Sequence, residues 1–490
     1  MKERIAKSVF WIVWSRGGIQ ILSFFSTILV ARLLSPSDYG VMAVAGVWTG
    51  TILLFTELGL GVAIVQFRDL KEEDLSACFW FTVAVAMGAY GVLYLAAPWI
   101  ATWFAMPVLA SILRALGLML PLAALRVVPE GLLRQRLELD KLAKGEILAT
   151  VLGIPLVVGL ALAGAGVWAL VSVGVFMPAL QTLSAYWFVR WTPTIHVRGA
   201  RLNDLIRFSS AALGSRLCAA AYQQSDALIL GAVAGDVALG FFSMAKRLAL
   251  LPVEKVSGVV NQVAFPVMAE LQADSNAMRA SFLRGVRLVA CITVPLCMGM
   301  ALLADDLVVI ALTDKWLPAA PILQVLCIYA LVRSGDVLLP PVLTARYRTA
   351  FLFRYALALL IVMPIAFWAG TTLMGALGVA LAWVAVYPFI MVWMAREALN
   401  ELGITWKIIW EQVRLSIWFT LVMASLILVV RWVIPGDDVV ARAVRLALAI
   451  GAGGLAYGLG IFWRGGLVVR ELTEVAGWLV RKGRPLPAAK

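Results

Sequence analysis

Residues 205–268 read LIRFSSAALGSRLCAAAYQQSDALILGAVAGDVALGFFSMAKRLALLPVEKVSGVVNQVAFPVM. The stretch is apolar enough to lie in lipid, yet it carries Arg216, Gln223, Gln224, Asp226, Lys246, Arg247, Glu254, Lys255, Asn261 and Gln262. A charge at the bilayer centre costs roughly 2.5–3.5 kcal/mol on insertion scales. So many polar groups persist together only where they face water, one another or a polar substrate. The stretch therefore reads as the wall of a polar cavity inside a membrane protein.

Composition agrees. Hydrophobic residues fill 62% of the 490 positions and charged residues 14%, against about 45–50% and about 25% in soluble domains. In lipid the backbone must satisfy its own hydrogen bonds, so the fold class is an all-α polytopic membrane protein. At about 20 residues per span, apolar windows place about fourteen transmembrane helices. They lie at residues 9–33, 41–66, 77–104, 109–133, 144–164, 166–189, 205–232, 236–268, 285–304, 317–344, 349–370, 375–396, 408–433 and 440–463. The connections are short, and none could hold a folded catalytic head. The opening MKERIAK precedes an apolar run reaching Leu34. That run is too long for a signal-peptide core and lacks a cleavage site, so it reads as a retained first helix.

Cys78, Cys218, Cys291, Cys297 and Cys327 sit in apolar runs without CxxC spacing, which argues against disulfides and thiolate metal sites. The single histidine, His196, lies in a basic loop. Neither a metal cluster nor a Ser/His/Asp set can be built on it, and no GxxxxGK[ST] or HExxH motif occurs. No catalytic residue, metal or cofactor is expected, and the chain is not expected to be an enzyme. The net charge of +13 is read as basic loops that set orientation and touch anionic membrane lipids, not as a nucleic-acid footprint.

With the N-terminus inside, the inner segments (1–8, 67–76, 134–144, 190–207, 269–287, 345–354, 396–414 and 464–490) carry 28 Lys and Arg. The outer segments carry six: Arg32, Arg114, Lys315, Arg431, Arg442 and Arg445. The positive-inside rule then puts both termini in the cytoplasm. A shift of 200 residues lays Ser15 on Ser215, Arg16 on Arg216 and Gly40 on Gly240. WSRGGIQILSFFSTILVARLLSPSDYGVMAVA faces GSRLCAAAYQQSDALILGAVAGDVALGFFSMA, each a helix with an early Arg, a turn, and a Gly opening the next helix. Transporters often consist of such repeats with the substrate site between them. The expected layout is an N-lobe at 1–200, a C-lobe at 201–400, two added helices at 401–463 and a cytoplasmic tail at 464–490. Residues 130–144, EGLLRQRLELDKLAK, read as a charged helix extension. In the tail, Val468, Leu472, Val475 and Leu479 recur at helical spacing, as in an interfacial amphipathic helix.

Seven bases fall within spans: Arg16, Arg126, Arg216, Lys246, Arg247, Lys255 and Arg333. The acids in or near spans are Glu57, Glu130, Asp226, Glu254 and Asp336. Bases outnumber acids, and a cavity with excess positive charge wants an anion. Arginine grips phosphate oxygens as a fork and lysine as a point charge, so a diphosphate is a natural guest. Arg247 and Glu254, seven apart, share a helix face; Lys246 and Lys255, nine apart, point to opposite sides. Arg126 and Glu130 are four apart and Arg333 and Asp336 three apart, so each pair can bond internally. For these two pairs a structural role weighs as much as a ligand role. Arg16 and Arg216 have no acid within four residues and stand out as anion ligands, the alternative being pairing with Glu57 or Asp226 on another helix. Pro252 and Pro266 permit a bend in the cavity-lining helix.

Three segments carry a resemblance: WSRGGIQILSFFSTILVARLLSPSDYGVMA, ELGLGVAIVQ and MAKRLALLPVEKVSGVVNQVAFPVMAEL. They resemble the Wzx/WzxC-like polysaccharide flippases of the superfamily that also holds the lipid II flippase and the MATE multidrug exporters. The similarity covers about residues 5–400. It implies two six-helix lobes in a V around a central cavity. It also implies translocation of undecaprenyl-diphosphate-linked oligosaccharide repeat units across the bacterial inner membrane by alternating access. That transport serves lipopolysaccharide, capsule or exopolysaccharide assembly, beside a polysaccharide polymerase and co-assembly proteins. The resemblance implies a basic cavity lining, which Arg16, Arg216, Lys246 and Arg247 match; Lys255, Arg333 and Arg126 are added on charge alone. Glu57, Asp226, Glu254 and Asp336 are the acids available for ion coupling or pairing. Two rivals stand beside this reading. A MATE-like exporter of cationic drugs wants an acidic cavity, and this one is basic. A polymerase or ligase wants a large outer loop, and the longest here, about 305–316, is short.

Overall fold

Leu, Ala and Val fill the apolar windows, and in lipid a helix closes every backbone hydrogen bond within its own segment. The computed structural model is built of helices and turns, with no strand among the described residues. Those are residues 22–57, 60–67, 69–195, 202–271, 274–466 and 470–471. Side chains of 55–57, 62, 202–217, 219, 259–267 and 269 lie outside that description. Arg16, the side chains of Glu57 and Arg216, and most of the expected amphipathic tail therefore fall outside it. Ten helices among the described residues are long and apolar enough to cross a membrane. Two of them, Ala220–Gly258 and Thr349–Leu402, each take in parts of two of the expected windows. The chain folds as an all-α polytopic membrane protein.

Internal contacts divide it at Gly240 into unit 1, Met1–Gly240, and unit 2, Phe241–Arg481. In unit 1, α1 (Leu22–Leu33) turns at Ser35 into α2 (Pro36–Glu57). Ser35 caps α2: its N and Oγ donate to Asp38 Oδ2 at 2.9 and 2.7 Å, and Asp38 N donates back at 3.2 Å. Then follow α3 (Leu60–Gln66), α4 (Glu72–Trp103), α5 (Val108–Leu116), α6 (Met119–Gln135), α7 (Leu139–Leu162) and α8 (Val167–Val189). Asp38 Oδ1 also accepts from Val167 N at the start of α8, at 3.0 Å. Leu60, Ile64, Phe79, Val128 and Trp191 form one apolar core. The segment after α8 is pinned back onto α4. Trp191 Nε1 donates to Glu72 at 2.8 Å, Trp80 Nε1 to the Thr194 carbonyl at 2.9 Å, and Thr194 N to Ser76 at 3.0 Å.

α9 (Leu202–Glu270) passes from unit 1 into unit 2 and departs from helical geometry at Gly235 (φ 83°, ψ −178°). That conformation suits a residue without Cβ. That departure falls between the expected windows 205–232 and 236–268, and the chain is helical at Pro252. Unit 2 continues with α10 (Ser275–Leu302), capped by Asp274 Oδ1, which accepts from Asn276 N and Ala277 N at 3.0 Å. After it come α11 (Ala304–Leu312), α12 (Ala319–Asp336), α13 (Leu339–Ala345), α14 (Thr349–Ala385), α15 (Tyr387–Leu402), α16 (Trp406–Val433) and α17 (Val439–Arg464). The stretch read as an outer loop at 305–316 is α11 and a 3₁₀ turn, Asp314–Trp316. Asp305 and Asp306 complement the positive end of that helix, and VVIAL supplies its buried face.

The repeat runs further than the first two helices. α6 ends with Leu137 at φ 57°, and α13 with Tyr347 at φ 58°. Leu137 N donates to Arg134 O at 3.1 Å, and Tyr347 N to Thr344 O at 3.0 Å. Gly166 opens α8 at φ 55°, ψ −134°, and Gly375 divides α14 at φ 59°, ψ −135°. A left-handed backbone costs a non-glycine residue roughly 1–2 kcal/mol. Leu137 and Tyr347 both bear it at the matching turn.

Candidate functional site

Unit 2 gathers cations of α9 and α12 around a set of buried rings. Phe242 and Lys246 are one turn apart on α9, so they share a face, and Lys246 Nζ stands 5.9 Å from the Phe242 ring centroid. It also stands 5.4 Å from the centroid of Trp383 on α14. Arg333 lies near the end of α12. That helix stops at Asp336 before Pro340 and Pro341, whose missing N–H groups end one helix and suit the first turn of the next. Arg333 Nη1 donates to Asp336 Oδ2 at 2.8 Å and to the Tyr387 hydroxyl at 2.8 Å. Tyr387 in turn donates to Asp336. Asp336 is 5% exposed and the Arg333 side chain 31%. The carboxylate is buried while the Arg333 side chain is partly exposed. Arg247, Glu254 and Lys255 are exposed on α9.

Unit 1 treats its charges differently. On α6, Arg126 Nε lies 3.0 Å from Glu130 Oε2, and Arg126 Nη1 donates to Gln181 of α8. Arg134 reaches the same carboxylate from the next turn, at 2.6 Å. One acid thus serves two arginines, and the group keeps a net positive charge. Asp226, on the first part of α9, is fully buried, and its Oδ1 accepts from Ala227 N at 2.7 Å.

The spacing of four and of three therefore does pair Arg126 with Glu130 and Arg333 with Asp336. Lys246 and Arg333 come to one ring cluster, while Arg126 belongs to the other unit. Sequence reasoning missed Tyr387, Trp383, Gln181 and Arg134. For Arg134 the signal was present, since it stands four residues after Glu130.

It also missed a set of ion pairs that holds α16 and α17 to α10 and α11. Arg445 donates to both carboxylate oxygens of Asp306, by Nε at 2.7 Å, and Arg445 Nη1 caps the carbonyls of Ile434 and Gly436 at 3.1 Å. Arg442 sits 3.9 Å from the same Asp306 and bonds Asp437 at 3.0 Å. Arg431 bonds Asp305 at 2.8 Å. At the other end of the helices Arg287 bonds Glu471 at 2.5 Å and Gln412 of α16. Between them Tyr457 donates to the Cys291 carbonyl at 2.7 Å.

Residues 29–321 match the model of a family described as polysaccharide biosynthesis protein. The chain belongs to the polysaccharide biosynthesis protein family. Arg126, Lys246, Arg247 and Lys255 lie within the family match, and Arg333, Asp336, Trp383 and Tyr387 beyond it. Two relatives extend the likeness. The teichuronic acid biosynthesis protein TuaB of Bacillus subtilis is 26% identical over 98% of this chain and 99% of its own. The succinoglycan biosynthesis transport protein ExoT of Rhizobium meliloti is 28% identical over 72% of each. Among solved structures, the lipid II flippase MurJ in an inward closed conformation superposes with a TM-score of 0.72. That match covers 93% of this chain and 99% of MurJ at 13% identity, and it shows a shared fold.

Proposed function

We propose that this protein is a flippase carrying undecaprenyl-diphosphate-linked oligosaccharide repeat units across the bacterial inner membrane for surface-polysaccharide assembly. The observation that carries the reading is the family match over residues 29–321 in a chain with the fold of a lipid II flippase. The names of TuaB and ExoT, a biosynthesis protein and a transport protein for polysaccharides, support it. The physics supports it as well. Diphosphate and sugar hydroxyls cannot enter hydrocarbon without compensation. Cations at Arg126, Lys246, Arg247, Lys255 and Arg333, with Arg16 and Arg216, would shelter the diphosphate while the polyprenyl tail stays in lipid. Lobes at 1–200 and 201–400 would alternate access to the two leaflets, with both termini cytoplasmic by the positive-inside count. Glu57, Asp226, Glu254 and Asp336 are the acids through which an ion gradient would couple. Polymerase and co-assembly proteins would take up the delivered units, and this chain itself would make or break no bond.

The test is lipid extraction from a deletion strain. Lipid-linked repeat units should accumulate on the inner leaflet. Export of short, unpolymerised units instead would mark a polymerase, and normal surface polysaccharide would remove the protein from the pathway.

A further inference from the structure

The two sides of α16 are unlike. One is turned to the protein: Gln412 holds Arg287 of α10, and Ser416 and Thr420 are buried. Trp410, Arg414 and Trp418, spaced by four, share the other side, and all three are exposed. Lys407, seven residues before Arg414, falls on the same side two turns earlier and is exposed as well. Glu411 is exposed one turn before Arg414, yet the two form no ion pair. Among the described residues the Arg414 guanidinium has neither an acid nor an acceptor, and neither indole N–H of Trp410 and Trp418 donates. Lys407, Glu411 and Arg414 together leave this side with one positive charge in excess.

Three other arginines of α16 and α17 have acids of their own: Arg431 has Asp305, Arg442 has Asp437 and Arg445 has Asp306. Arg414 and Arg431 lie seventeen positions apart on α16, about 25 Å along the helix. The hydrocarbon core is about 30 Å deep. Both arginines cannot stand outside it at once, and tilting the helix shortens their separation across it. Arg431 is held by Asp305 and by the Leu302 carbonyl at 2.9 Å. Arg414 therefore brings a charge to the edge of the lipid without a protein anion to meet it. A helical side chain leans toward the N-terminus of its helix, which carries the long Arg414 stem toward the headgroups. The anion available there is a lipid phosphate, which a guanidinium grips as a fork. Along the helix Trp410 is about 6 Å nearer the water and Trp418 about 6 Å deeper. Their N–H donors bracket the level of the arginine, where phosphate and ester oxygens of a lipid lie, and their rings suit that half-wet layer.

We propose that Trp410, Arg414 and Trp418 form a site on the lipid-facing side of α16 for the headgroup of one anionic phospholipid. The positive-inside count, which puts the start of α16 at the cytoplasmic side, makes it a lipid of the inner leaflet. The site uses none of the cations offered to the carried lipid, and it stands whether or not the flippase reading holds. Counting charges along the chain left Lys407 and Arg414 in an inner connection, 396–414. The structure places both within α16, and the helix is what aligns them with the two tryptophans.

The experiment uses the full chain in detergent micelles with its 19 tryptophans replaced by 5-fluorotryptophan. The ¹⁹F signals of Trp410 and Trp418 are assigned by their loss in Trp410→Phe and Trp418→Phe. Both should move together on titration with phosphatidylglycerol. Arg414→Gln should raise the lipid concentration at half-shift about fivefold, because the charged fork is gone. Arg414→Lys, which keeps the charge without the fork, should raise it about twofold. The Trp432 signal, at the far end of α16, should be the same in both variants as in the wild type. Arg414→Lys carries the test should Arg414→Gln fail to fold. Signals that do not move in the wild type, or half-shift concentrations equal to wild type in the variants, overturn the site. Phosphatidylcholine moving the two signals at the same concentration overturns an anionic occupant. Undecaprenyl diphosphate acting at a lower concentration than phosphatidylglycerol gives this side of α16 to the carried lipid and overturns the assignment to a phospholipid.

Discussion

Gly40 and Gly240 stand 200 positions apart, and each lies against the backbone beside the other. A Cβ on Gly40 would fall 1.8 Å from the carbonyl oxygen of Asp236, and a Cβ on Gly240 1.9 Å from that of Pro36. Asp236 and Pro36 are themselves 200 apart, so the contact is reciprocal; both sides of it belong to unit 1. Ser37 adds a hydrogen bond to the Asp236 carboxylate.

Gly40→Ala and Gly240→Ala should therefore each destabilise the protein, and by similar amounts. No rotamer relieves a Cβ overlapping a carbonyl, and the helices would have to part, at a cost of about 1–3 kcal/mol or more. The melting midpoint in detergent measures this. Gly46→Ala, where nothing lies within 4 Å, serves as the control and should leave the midpoint unchanged. Unequal losses at Gly40 and Gly240 would show that the reciprocity is geometric only.

The two carboxylates that pair with span arginines should differ in weight. Asp336 is 5% exposed and the Glu130 side chain 24%. Asp336→Ala leaves Arg333 without its acid inside unit 2 and is expected to cost about 3–5 kcal/mol. Glu130→Ala leaves two arginines near water and is expected to cost at most about 1 kcal/mol. Equal midpoints for the two variants would contradict the burial argument.

Asp306 is 1% exposed and receives Arg445 on both oxygens. Asp306→Ala should cost about 3 kcal/mol, the low end for a buried pair, because the neighbouring Asp437 side chain, 89% exposed, keeps part of the cluster wet. Exchanging the partners, Asp306→Arg with Arg445→Asp, should recover part of the loss. A double exchange no better than the worse single variant would mean that the pair is not what docks α17.

Arg216→Ala and Arg16→Ala test the flippase reading at residues known so far by sequence alone. Each should abolish polysaccharide export while the protein remains at normal level in the membrane. Wild-type export in Arg216→Ala would remove that residue from the substrate path.

Much of this architecture could be read from the chain before any coordinates. Apolar windows showed an all-α polytopic chain because lipid leaves helices few alternatives, and ten helices among the described residues are long and apolar enough to span. Gly40 and Gly240 surfaced from a 200-residue shift because a backbone contact tolerates no other residue. Arg126–Glu130 and Arg333–Asp336 surfaced because partners on one helix announce themselves by spacing. Arg445 and Asp306 did not, being 139 residues apart on different helices. Trp383 and Tyr387 stayed hidden for another reason. An aromatic residue in an apolar helix looks the same whether it faces lipid, packs a core or carries a cation.

The ion pairs along α16 and α17 bear on how motion in this protein would be watched. Arg287–Glu471 at one end and Arg445–Asp306 at the other secure the hairpin to α10 and α11. Leu455 and Leu459 are 67% and 65% exposed on α17, which makes them convenient places for a spectroscopic label. A spin label or dye placed there is, in effect, glued to α10: its readings would track that helix, and a second label on α10 should show a fixed separation through any transport cycle.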